Sequence, residues 1–139
     1  MIRTVRRALA LAGALAGALA AAGLAVATPA HASINDCQTG RACLWSHAYY
    51  NGTGQANPQF FQWPSNVSQL PSWIDNQASS ARNNGTSCRA DFYTGPGFTG
   101  QVLTMHLQDH RDNLQLDPRA DGGTWNDVIS SLKWVCPDN

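Results

Sequence analysis

The strongest constraint on this chain is a repetition. The hexapeptide Asp75-Asn76-Gln77-Ala78-Ser79-Ser80 returns 51 positions later as Asn126-Asp127-Val128-Ile129-Ser130-Ser131, each copy reading as two Asx residues, two spacers and a Ser-Ser pair. A second element precedes each copy: Trp45-x-x-x-x-Tyr50-x-Gly52, and 48 positions on, Tyr93-x-x-x-x-Phe98-x-Gly100. Two unrelated patterns repeated in the same order are hard to attribute to chance. One structural device is used twice.

The first residues stand outside the repeat. Arg3, Arg6 and Arg7 lead an uncharged Ala/Leu/Gly-rich run from Ala8 to Ala27, and Ala30-His31-Ala32 is a small-x-small cleavage site. This predicts a secretory signal peptide over residues 1–32 and a secreted domain over 33–139. The run is weakly apolar for a permanent span and ends in a cleavage site, so no membrane association is expected after cleavage.

The remaining chain carries Arg41, Arg82, Arg89, Arg111, Arg119 and Lys133 against nine Asp and no Glu. Such a mildly acidic chain without clustered Lys or Arg excludes a nucleic-acid groove and an anionic membrane surface. Roughly a hundred residues make one domain with a modest core, so covalent staples are expected. Cys37, Cys43, Cys88 and Cys136 can supply them in an exported chain, and three pairings are open.

Short strands with turn chemistry between them follow from Arg41 onward. Gln101 to Leu107 alternates, with Leu103, Met105 and Leu107 on one face and Val102, Thr104 and His106 on the other. Ser131 to Val135 opposes Leu132 and Trp134 to Ser131 and Lys133 in the same way. Gly52, Gly54, Gly95, Gly97 and Gly100, with Pro96, mark two tight hairpins where positive φ is expected. No stretch after the leader keeps a helical period. The expected fold is all-β: two four-stranded antiparallel sheets packed as a sandwich.

The order aromatic-x4-aromatic-x-Gly, then Asx-Asx-x-x-Ser-Ser, resembles the Greek-key unit of microbial βγ-crystallins, in which two units make one domain. More closely, the chain is similar to an actinobacterial secreted peptidase-inhibitor family typified by a small metalloproteinase inhibitor. Cys43-Leu44-Trp45 before the first unit and Asp75-Asn76-Gln77-Ala78-Ser79-Ser80 within it carry that likeness, which runs from about Cys37 to Cys136. The resemblance implies a first Greek key over about 41–84 and a second over about 88–136. It also implies bridges from Cys37 to Cys43 and from Cys88 to Cys136. Trp45 and Tyr93 would cover the hairpin bends, Gly52 and Gly100 would take angles closed to other residues, and Ser80 and Ser131 would brace the hairpins.

The resemblance further implies up to two calcium sites, each drawing on both hexapeptides. Asn76 and Asp127 would supply side-chain oxygens, Ser79 and Ser130 hydroxyls, Gln77 and Val128 carbonyls. Ala48 and Pro96 would lend a carbonyl from the hairpins, while Asp75 and Asn126 hold the loops. Oxygen donors of this kind suit a hard cation, and one carboxylate per hexapeptide places the affinity in the weak range of about 10⁻⁵ to 10⁻³ M. In the competing reading, Asx and Ser merely cap turns.

Other constellations carry less. His106 and His110 with Asp109 and Asp112 fall on a strand's polar face and the loop beyond, a solvated surface rather than a zinc site. His47 reads as a turn histidine. Hydrolase and phosphate-loop motifs are absent, so an enzyme is not expected.

Two segments differ between the units and are candidates for partner contact. Residues 57–73 hold Phe60, Phe61, Trp63 and Trp73 among Pro58, Pro64 and Pro71, and 108–123 is polar and Asp-rich. The resemblance makes the expected function inhibition of an extracellular peptidase by a monomer, with a calcium-binding structural or coat module as the alternative.

Overall fold

The computed structural model describes residues 32–137. Of the leader expected over residues 1–32, all but Ala32 lies outside the described residues. Seven strands follow: β1 (Arg41–Trp45), β2 (Phe60–Trp63), β3 (Ser80–Asn84), β4 (Arg89–Gly95), β5 (Thr99–Met105), β6 (His110–Arg111) and β7 (Ser131–Val135). They form two antiparallel sheets, ordered β2-β1-β3-β6 and β5-β4-β7.

Alternation explains the central strand of the first sheet. Ala42 and Leu44 enter the main core between the sheets, while Cys43 and Trp45 point into a second cluster with Cys37. Both faces of β1 are covered, and its sequence is accordingly apolar at successive positions. The main core is closed by fully buried Phe92, Met105, Leu114, Ile129 and Leu132 against Leu44, Leu70 and Ile74. Burying each such side chain is worth about 1.5–3 kcal/mol before entropy is charged against it.

The two repeats exchange strands. Strand β6 belongs to the second repeat but pairs with β3 of the first, through Ala81 with Arg111 and Arg82 with His110. The reciprocal strand on the second sheet is reduced to one residue, Val67, which exchanges hydrogen bonds of 2.8 and 2.9 Å with Leu132. The second sheet therefore has three strands and a bridge rather than the four strands expected. Pro64 and Pro71 bracket this segment and lack the N–H a longer ladder needs. Beside Val67, the Asn66 side chain takes over a ladder position by accepting the Trp134 N–H at 2.7 Å.

Two details of the strand reading are corrected. Strand β5 stops at Met105, because Gln108 is left-handed (φ 64°) in a turn closed from Asp109 N–H to His106 O. Leu107 therefore lies beyond the strand, 46% exposed, instead of sharing the buried face of Met105. Ser131, assigned to a polar face, is fully buried.

The disulfides join Cys37 to Cys43 and Cys88 to Cys136. The second fastens the start of β4 to the end of β7, which are antiparallel neighbours. In the first, Asn84 Nδ2 donates to the Cys37 carbonyl at 2.7 Å and ties the bridge to β3.

Candidate functional site

The two hexapeptides lie against each other at the junction of the repeats. Asn76 N–H donates to Ile129 O, and Asp127 N–H donates to Ala78 O, both at 2.9 Å. Ser79 N–H reaches Trp45 O and Ser130 N–H reaches Tyr93 O, both at 2.8 Å. Every partner in one copy is the counterpart of a partner in the other, so an approximate two-fold axis runs through the site. Asn76 and Asp127 both adopt left-handed backbone (φ 55° and 56°), a conformation that short Asx side chains tolerate.

The last serine of each hexapeptide braces a hairpin. Ser80 Oγ donates to His47 O at 2.8 Å and accepts Tyr50 N–H at 3.1 Å. Ser131 Oγ donates to Gly95 O at 2.6 Å and accepts Phe98 N–H at 3.0 Å. Above the braces the aromatic pairs meet edge to face, Trp45 with Tyr50 at 5.1 Å and Tyr93 with Phe98 at 6.0 Å. Gly100 takes the positive φ expected of it (81°), but Gly52 does not (φ −48°). The left-handed backbone of the first hairpin falls on either side of it, on Tyr49, Tyr50 and Asn51 before and on Gly54 and Asn57 after, so Gly52 needs no special freedom.

The oxygen donors gather around these braces. Ser79 Oγ donates to Asp127 Oδ1 at 3.4 Å, and Ser130 Oγ to Asn76 Oδ1 at 3.3 Å. Asn76, Gln77, Ser79 and Asp127 share one cleft with Ser46 and His47. The carbonyls of Gln77 and Val128 accept no hydrogen bond from the backbone turns and loops or from any side chain among the described residues. Asp75 is turned aside, accepting from Gln69 at 3.1 Å and Asn76 at 3.3 Å. Asn126 donates to Asp127 Oδ2 at 2.7 Å and fixes that carboxylate. The Pro96 carbonyl already accepts the Thr99 hydroxyl at 2.7 Å. Ala48 opens the first hairpin turn, but its neighbour His47 is the residue that lines the cleft.

The donor set fits a hard cation. Burial pushes the Asp127 carboxyl above the ordinary carboxylate range, opposed by hydrogen bonds from Ser79 and Asn126 and by the His47 charge. Among the described residues no Arg or Lys pairs with Asp127. A partly desolvated carboxylate beside a hydroxyl and a free carbonyl is a place where positive charge is favoured. Sequence reasoning missed His47 and Asn51 here. Asn51 is buried, accepts His47 N–H at 2.8 Å and donates to Gln59 O at 2.7 Å. The signal was their position inside the aromatic-x4-aromatic-x-Gly element.

The Pro-aromatic segment divides between core and surface. Phe60 packs on Trp45 at 5.1 Å and Phe61 is buried, whereas Trp63 (46%) and Trp73 (43%) stay exposed, both leaning on Phe61 at 6.0 Å. Apart from the buried core residue Leu114, the Asp-rich segment is surface, held by ion pairs from Arg111 to Asp109 and Asp117 and from Arg119 to Asp121.

Two interlocked Greek keys with paired Asx-Ser corners define a βγ-crystallin-type domain, and comparison with solved structures agrees. A structure concerned with the evolution of the eye-lens βγ-crystallin domain fold superposes with a TM-score of 0.55 at 19% identity, covering 72% of this chain and 89% of that one. The βγ-crystallin from Ciona intestinalis gives 0.51 at 18% identity, covering 68% and 99%. Among curated proteins none matches the chain in sequence. The profile of peptidase inhibitor family I36 matches residues 30–105, more than half of the chain, and the chain belongs to that family. Its partner is thus a peptidase, and it is a binding protein rather than an enzyme.

Proposed function

We propose that this chain is a secreted inhibitor of an extracellular metallopeptidase, acting as a monomer by steric occlusion, with calcium as a weak stabilising ligand. The family match carries the inhibitory part. Secretion is supported by the basic, apolar and small-residue order of residues 1–32 and by two disulfides. The metallopeptidase target rests on the likeness of Cys43-Leu44-Trp45 and the first hexapeptide to the metalloproteinase-inhibitor type.

A bound calcium ion would supply positive charge that ties hexapeptides and hairpins together. Asp127, Ser79 and the Gln77 carbonyl would hold one ion; Asn76, Ser130 and the Val128 carbonyl would hold the other. Asp75 and Asn126 orient these donors through the hydrogen bonds described above. Inhibition itself needs no chemistry from this chain, only a stiff surface that fills the peptidase cleft with little entropy left to lose.

The test is titration of the mature chain against a panel of secreted bacterial zinc metallopeptidases and serine peptidases. Tight 1:1 inhibition of a metallopeptidase is the expected result. Inhibition confined to serine peptidases would refute the target class. No inhibition, together with a calcium-dependent rise in melting temperature, would establish the structural module instead.

A further inference from the structure

Residues Trp63 to Gln69 stand as a ridge between two hollows. On one side Pro64, Ser65 and Asn66 border a cleft of about 420 Å³ shared with Trp134 and the Cys88–Cys136 bridge. On the other, Trp63, Asn66, Val67 and Pro71 border a cleft of about 300 Å³. Asn66 lines both and so marks the crest.

The ridge is fixed from below. Val67 is held by both of its backbone bonds to Leu132, Ser68 O accepts Gly97 N–H at 2.6 Å, and Leu70 N–H donates to Ser130 O at 2.8 Å. Pro64 and Pro71 restrict the chain at either end. Meanwhile Ser65, Asn66, Ser68 and Gln69 face solvent, flanked by exposed Trp63 and Trp73. Such a segment has already lost the freedom that binding would otherwise remove.

Its chemistry is that of an interface centre. No Asp, Glu, Lys or Arg occurs between Arg41 and Asp75, whereas charged residues recur through the rest of the domain. Interface cores are depleted in charge and enriched in aromatic residues, because a neutral surface can be dried without stranding an ion. The ridge also lies within residues 30–105, the part matched by the inhibitor family, while the Asp-rich segment 108–123 lies outside it.

We infer that this ridge is the inhibitory element, entering the substrate cleft of the target peptidase with the walls of that cleft settling into the two hollows. The inference rests on the chain being a peptidase inhibitor and names the surface that does it. Trp63 and Trp73 are the anchors, and the backbone from Ser65 to Gln69 occupies the place of a substrate.

The experiment uses the mature chain and a peptidase it inhibits. Trp63→Ala, and separately the double change Ser65→Glu with Ser68→Glu, are expected to raise the inhibition constant by about 30-fold or more in chains that remain folded, as for anchors in a dried interface. Leu116→Glu, at a 72% exposed site that lines neither hollow, is the control and should leave inhibition at the wild-type level. Hydrogen exchange on the wild-type complex should show new protection of the amides of Ser65, Asn66, Ser68 and Gln69, whereas Val67 is already bonded to Leu132 in the free chain. Ridge variants that inhibit like wild type, or protection confined to other segments, would overturn the assignment while leaving the inhibitor reading intact. A wild-type chain that inhibits nothing would end both. Should a ridge variant fail to fold, the exchange result on the wild-type complex decides.

Discussion

The two Greek keys put the same brace under different backbones. In the second hairpin the left-handed positions are Gly97, Phe98 and Gly100; in the first, Gly54 and Asn57 are preceded by three successive non-glycine residues, Tyr49, Tyr50 and Asn51. Left-handed backbone costs a residue with a β-carbon about 1–2 kcal/mol, less for Asn. Among the described residues the second key buries Trp134 Nε1 without a partner, and the first buries both Trp45 Nε1 and Tyr50 OH in that state. It offsets these costs with the Trp45-Tyr50-Phe60 cluster, the Asn51 bonds and the Cys37–Cys43 bridge. Strain is thus tolerated where packing over-determines the chain, and glycine suffices where it does not.

The bridges break this comparison most sharply. Replacing Cys88 and Cys136 by Ser opens a loop with a sequence separation of 48 and should cost about 4 kcal/mol, against about 2 for Cys37 and Cys43, separated by 6. Chemical denaturation of the two double variants would measure the difference.

Next come the braces. Ser80→Ala and Ser131→Ala each strand a carbonyl and an N–H at a fully buried site, an expected loss of about 2–3 kcal/mol. The Ser80 change should be the larger, since its hairpin carries the strained run; equal losses would show that the aromatic cluster alone holds Tyr49 and Tyr50.

A crossed pair of substitutions tests the backbone itself. Tyr49 is 60% exposed, so Tyr49→Gly removes left-handed strain with little packing lost and should stabilise by about 0.5–1 kcal/mol. Gly97 has open space where a β-carbon would sit, so Gly97→Ala should destabilise by about 1 kcal/mol through backbone strain alone. Thermal melts of both would show opposite signs.

The smallest effect concerns the corners. One carries a carboxylate, Asp127, and the other an amide, Asn76, so calcium should be held mainly through Asp127. At millimolar calcium and a Kd of about 10⁻⁴ to 10⁻³ M the gain is about 0.4–1.4 kcal/mol, read as a shift in Tm. Asp127→Asn should remove most of that shift, and Asn76→Asp should enlarge it. Without calcium the sign reverses. The folded state holds the Asp127 carboxyl above its unfolded value through desolvation, so its stabilising contribution is full in acid and is lost as pH rises from the ordinary carboxylate value through the raised one. Calcium needs the ionised form and should act only above that window.

Much of the fold was legible because the repeat names its own parts. The Asx-Ser hexapeptides and the aromatic-Gly elements located the corners and hairpins, and Ser80 and Ser131 make the bonds that the resemblance implies. What stayed hidden depended on partners distant in sequence. That Val67 replaces a strand follows from Leu132 and Asn66, and a local pattern cannot display it. Gly52 looked like the permissive residue of the first hairpin because Gly100 is one in the second. The strain moved to Tyr49 and Tyr50, which only the tertiary contacts of Tyr50 could support. His47 appeared idle until Asp127 was placed beside it, 80 positions away in the chain.

The exchange of β6 and Val67 between the halves has an outcome for biogenesis. Neither half can complete its own sheet, so a chain emerging amino-terminus first has no finished subunit to settle into. Until residues 131–135 arrive, Leu132 is missing from beneath Val67 and β4 lacks its inner neighbour. The Cys88–Cys136 bridge joins β4 to the end of that same last strand, so it and the backbone partner of Val67 both depend on residues at the far end of the domain.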